Sequence, residues 1–293
     1  MTQDQAEPSD RFVLLIGLLM AEDSFQIAPG LTLEQIGAEI TVFDLAAAGV
    51  EGFRYWSLIE PLLVPSAAEI RSTGTTADGA MGRAWLVSAL LLLRGFHRQF
   101  CPAQSAYSWR TLSGAAKDRR KLAPFKGGLL DYHTDWLVPD DTALERMFTS
   151  EDALWIGQRF ASFEKLGSSN QRFKFALESA VDWRFSKEPR AGVARLWSGI
   201  ESLFDVSQEL KYRISLMAAS VLESRGPGRL QKFQAIKKLY DLRSKAVHGA
   251  PIAPKVLDEL LRDSFDLLRW LLLDAAERGS PRSEDDFNEA IFH

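Results

Sequence analysis

The chain has 293 residues, long enough for two domains of ordinary size and too long for one small module. Its 46% hydrophobic and 25% charged residues exclude wholesale disorder, and a net charge of −4 argues against a surface that coats nucleic acid everywhere. The single cysteine, Cys101, excludes an internal disulfide and fits a reducing cytoplasm, the compartment expected here.

The first eight residues are acidic where an export signal would be basic, so none is read. The apolar run Phe12–Met20 suits a strand or a buried helix, and Pro29-Gly30 marks a turn. Phe53–Leu63 reads as a helix ending before Pro65, and Ser72–Gly82, rich in Thr, Gly and Ala, as a loop. Arg83–Leu93 reads as a buried helix on length. Its apolar stretch is about half what a membrane span requires, and no span is expected. Residues 1–150 are therefore expected to form an α+β domain.

From Ser150 onward the periodicity is helical, with breakers where helix ends belong. Glu151–Leu166 is a helix closed by Gly167, and Asn170 can cap the next. Pro189 opens a third through Phe204, and Ser207 starts a fourth, closed by Gly226-Pro227-Gly228. Arg229–His248 is a fifth, ended by Gly249 and Pro251, and Pro254–Arg278 a sixth, ended by Gly279. Residues 151–279 thus read as a helical bundle, and 280–293, with Glu284, Asp285 and Asp286, as a solvated acidic tail. The expected class is mainly α, with the α+β domain preceding the bundle.

Charge is unevenly spread along this bundle. Between Glu209 and His248, nine lysines and arginines stand against three acids. On a helical wheel of 230–248, Phe233, Ala235, Ile236, Leu239, Tyr240, Leu242, Ala246 and Val247 lie on one half, with Arg243 in its middle. A guanidinium cannot discharge, so Arg243 requires an anion, a partner chain or a ligand. His248 follows five residues later, about 140° round the helix, at a cap where Gly249 lets the backbone turn.

Arg195-Leu-Trp-Ser-Gly-Ile-Glu-Ser-Leu-Phe204 and Leu239-Tyr-Asp-Leu-Arg-Ser-Lys-Ala-Val-His-Gly249 resemble the Apea-like branch of the HEPN superfamily over about residues 150–278. The resemblance implies a helical bundle and an Arg-x4-His endoribonuclease motif at Arg243 and His248, working without metal or other cofactor across a homodimer. It implies supporting roles for Ser244, directly after the arginine, and for Glu201 in the earlier helix. It also implies a variable N-terminal region that senses or regulates, frequently in defence systems.

The chemistry suits these residues. Attack of a ribose 2′-hydroxyl on the adjacent phosphate needs a proton acceptor, a proton donor for the leaving 5′-oxygen and cations for the charge on phosphorus. Histidine can serve as acid or base, and arginine offers a bidentate fork for phosphate oxygens. One histidine cannot do both proton transfers at once, whereas two motifs meeting at a dimer axis can.

The structural alternative is an Arg243–Glu201 ion pair with His248 as a helix cap. For Glu201 an orienting ion pair is the role expected, with direct catalysis the alternative, and Ser244 can be merely solvated. Lys232, Lys237, Lys238 and Lys245 can track an RNA backbone or form a solvated face. Lys117-Asp-Arg-Arg-Lys121 is a second basic cluster. His133-Thr-Asp135 lacks a third ligand at metal-site spacing, and His97 with Cys101 lacks an acid for a catalytic dyad. The expected partners are RNA, a second copy of the chain and an inhibitory or activating protein. The alternatives are a non-catalytic module that dimerises and binds RNA or protein, and a toxin silenced by another chain.

Overall fold

In the computed structural model, which describes residues 10–47, 60–118, 127–130, 137, 146–204 and 209–292, the first apolar run is a strand, β1 (Arg11–Ile16). After it come β2 (Ser24–Ala28), β3 (Leu31–Gln35), helix α1 (Val42–Ala47), β4 (Ala68–Ser72), α2 (Ala77–Leu93), β5 (Phe100–Ser105), α3 (Ala115–Asp118) and β6 (Gly127–Leu129). The sheet order is β2-β3-β4-β1-β5-β6, and every pairing is antiparallel. The central position of β1 explains its unbroken hydrophobicity. Leu14 joins Ile36, Leu45, Leu63 and Trp109 in one core, while Val13 and Leu15, also buried, point the other way.

Helix α2 packs along β1 and β4 and begins earlier than its composition suggests. Thr76 caps it, its hydroxyl accepting from Gly79 N at 3.1 Å. The Gly and Thr content of 72–82 therefore misled: Ser72 ends β4 and Ala77 starts the helix, because burial of Ala80 and Ala84 outweighs the glycines' poor propensity.

Helix α4 (Ser150–Ser169) opens with a capping box, Asp152 Oδ2 accepting from Thr149 N and Oγ1 at 3.1 Å each. The other carboxylate oxygen receives Arg94 Nε at 2.7 Å and Arg146 Nη2 at 2.9 Å. Burial pushes this carboxyl up, but the two guanidiniums and the Thr149 donors hold it below its ordinary range. The chain divides into two units, Met1–Thr134 with Ala143–Phe160, and Asp135–Thr142 with Ala161–His293, so α4 contributes to both. It runs through Gly167 rather than stopping there.

The second unit continues with α5 (Gln171–Asp182), α6 (Pro189–Ser202), α7 (Leu210–Leu222), α8 (Pro227–Val247), α9 (Pro254–Arg278) and α10 (Glu284–Phe292). Asn170 caps α5, accepting from Phe173 N at 2.9 Å, and a proline occupies the first turn of α6, α8 and α9. Pro227 thus opens α8 instead of closing α7. Residues 280–293 include a docked helix and are not only a solvated tail. Ser283 and Asp286 form a capping box, and buried Phe287 stacks on Phe204 with centroids 5.3 Å apart. Among the described residues no helix is long and apolar enough to cross a membrane. Residues 53–59, Arg119–Lys121, His133-Thr-Asp135 and Ser207 lie outside the described residues.

Helix α6 packs tightly against α5 and α9 at Gly199, where a Cβ would stand 2.7 Å from Ser179 Cβ and 3.0 Å from Leu268 Cδ2. Gly167 has open space around it. Gly199→Ala is expected to destabilise the protein by about 1–3 kcal/mol through overpacking. Gly167→Ala should stabilise it by about 0.5–1 kcal/mol through lost unfolded-state entropy. Chemical denaturation of the two variants checks the opposite signs.

Candidate functional site

The end of α8 is a Schellman turn. Ala250 N donates to Lys245 O at 3.0 Å and Gly249 N to Ala246 O at 3.3 Å, with Gly249 at φ +76°, where a glycine is needed. His248 is the C-cap residue and its side chain is exposed. A cation from another helix holds this turn: Arg190, in the first turn of α6, donates through Nη1 to Ala246 O at 2.8 Å and through Nη2 to Ala250 O at 2.7 Å. The guanidinium satisfies helix-end carbonyls where the helix dipole favours positive charge. Nothing local in the sequence pointed to Arg190, because its partners lie 56 and 60 residues away.

Arg243 sits on the buried side of α8, seven residues after Ile236 and so about 20° from it on the helix. Its Nη2 is 3.0 Å from Glu201 Oε1, near the C-terminal end of α6, and the side chains are 20% and 25% exposed. The approach is an ion pair without hydrogen-bond geometry: Glu201 Oε1 and Arg243 Nε are both buried with no hydrogen-bond partner. The guanidinium also lies 5.4 Å from the centre of the Tyr240 ring, which meets Trp197 edge-on at 5.2 Å. Trp197 Nε1 donates to Ser264 Oγ at 3.0 Å, fixing that ring.

Burial pushes the Glu201 carboxyl up, and the Arg243 charge only partly offsets this. Burial and the negative charge of Glu201 likewise push the Tyr240 hydroxyl up against the opposing influence of Arg243.

The residues singled out from sequence therefore fall into two groups. Glu201 and Arg243 come together, joined by Tyr240. His248 lies about 140° round α8 from Arg243 and about 20° from Lys237, with half-buried Ser244 between them along that face. Lys237, Lys238 and Lys245 are exposed, and Lys237 lies 5.8 Å from the centre of the Phe233 ring. Lys232 is half-buried and faces Glu223 at 4.0 Å. Part of the basic excess is answered within the chain: Lys211 pairs with Asp241 at 2.6 Å, and Arg213 with Glu284.

Two outcomes are expected from this geometry. Arg190→Ala should free the turn that carries His248, costing about 1–2 kcal/mol and speeding amide exchange at Gly249 and Ala250 relative to the middle of α8. Because the folded pKa of Glu201 is raised, its favourable contribution is complete below the ordinary glutamate pKa and is lost as pH rises through the folded value. Urea melts between about pH 4 and pH 7 should thus show wild type losing stability relative to Glu201→Gln as pH rises. No protein-family model, no curated protein and no solved structure matches this chain, so the functional reading rests on its own residues.

Proposed function

We propose that the helical unit is a metal-independent endoribonuclease of HEPN type, its site completed by a second copy of the chain. The observation that carries the reading is His248, an exposed imidazole on a turn fixed by Arg190, facing outward with Lys237 and with Lys245 beside it. Among the described residues of this unit it is the only histidine. One imidazole takes the proton from the ribose 2′-hydroxyl as the O2′–P bond forms. The other gives a proton to the 5′-oxygen as the P–O5′ bond breaks, leaving a 2′,3′-cyclic phosphate and a 5′-hydroxyl. Arg243, released from or shared with Glu201, would hold the phosphate, while Lys237 and Lys245 track the backbone. Ser244, beside His248 on the outward face, would support the imidazole. The first unit would sense or regulate, and an inhibitory or activating protein would act through it.

One observation favours a second reading. Arg243 is answered by Glu201 inside its own chain and points away from His248, as expected of a non-catalytic module that dimerises and binds RNA or protein. RNA cleavage in EDTA separates the two. The nuclease reading expects cleavage by wild type and a loss of at least about a hundredfold in both His248→Ala and Arg243→Ala, with folding intact. Tight RNA binding without cleavage supports the module instead, and cleavage unchanged in His248→Ala overturns the role given to His248.

A further inference from the structure

A groove of about 530 Å³ between α8 and α9 is left unused by the site above. Its floor is apolar, with Ile236 and Leu239 from α8 and Leu260 and Leu267 from α9. On α9 it extends from Val256 to Trp270, which is 52% exposed, a length of about 21 Å or four helical turns. Half-buried Leu242 adds apolar surface from α8.

The two walls carry opposite charge. Lys238 stands on α8, and Glu259 and Asp263, one turn apart, stand on α9. Burial pushes the Asp263 carboxyl up, and Glu259 adds to this while Arg262 opposes it. Like charges spaced i, i+4 weaken a helix, so this pair calls for a cation from elsewhere. Lys238 does not supply it: although the three line one groove, none forms an ion pair among the described residues.

We propose that this groove docks an amphipathic helix of a protein partner, with its apolar face on the floor, a basic flank along Glu259 and Asp263 and an acidic flank along Lys238. A helix can present three differently coloured faces side by side and so answer floor and both walls at once. An extended strand has only two faces, and filling both walls leaves nothing for the floor. A small apolar ligand leaves the wall charges unanswered. Because the walls differ in sign, a given helix satisfies both in one direction only. This assignment is independent of the nuclease reading and gives Lys238 a partner other than RNA.

The test uses the full-length protein and three synthetic helical peptides of about 14 residues, sharing one leucine face. The first has lysine on one flank and glutamate on the other, the second has lysine on both, and the third has glutamate on both. Fluorescence anisotropy should show the mixed peptide binding about tenfold more tightly than either of the others. Lys238→Glu, an exposed change that leaves the floor intact, should shift the preference to the lysine-flanked peptide, and Leu242→Glu should abolish binding. Equal binding of all three peptides, no binding, or an unchanged preference in Lys238→Glu overturns the proposal. So does sedimentation showing that Leu242→Glu dissociates a self-assembled form, which would make a second copy the occupant.

Discussion

A guanidinium on the buried side of a helix constrains its neighbours, and Arg243 constrains α6. The charge must be met, and Glu201 meets it at 3.0 Å. That requires the C-terminal end of α6 to lie deep against α8, which in turn needs Gly199 to pass Ser179 and Leu268 without a side chain. At its other end α6 supplies Arg190 to the carbonyls that close α8. Two cations and one carboxylate thus fix α8 to α6 at separate points. Removing one member of such a half-buried pair leaves a charge with nothing to answer it, whereas replacing both with apolar groups of similar shape can be nearly neutral. The pair therefore fixes geometry more surely than it adds stability.

Helix termini were the most legible part of the chain, because their signals are local. Asn170, Pro189, Pro254 and Gly279 each mark an end that the structure places at or next to them. Where tertiary burial competes with composition, local reading failed. Gly79 and Gly82 suggested a loop that is helix, and Gly167 suggested a stop that α4 ignores. The Ser283-x-x-Asp286 box with Phe287 was a legible helix start hidden by the acidic character of the segment. The strand-or-helix choice for the first run was open because β1 is covered on both faces and shows no alternation.

At the candidate site, the wheel placed Arg243 among apolar neighbours, and the Arg243–Glu201 pair follows the ion-pair alternative read from sequence. The wheel overstated how apolar that half becomes in the fold. Ala235 is exposed and Leu242 only half-buried, because the groove beside α9 leaves their flank open, while on the other flank Val247 is exposed and half-buried Phe233 meets Tyr212 edge-on. Arg190 was not legible at all. Its role depends on a contact between distant segments, for which the sequence carries no periodic or capping signal.

Helix α8 buries only Ile236, Leu239 and Ala246 in 21 residues, while the adjacent α9 buries twelve of its 25. Local opening follows buried apolar area, so α8 separates from the rest at lower free energy than α9. The segment bearing the imidazole together with Lys232, Lys237, Lys238 and Lys245 is then a semi-independent cooperative unit, with polar fastenings to α6 at Arg243 and at the carbonyls of Ala246 and Ala250, all near its C-terminal end. Any molecule that covers its open flank would shift that local equilibrium toward the closed form and stiffen the turn at His248 without touching it.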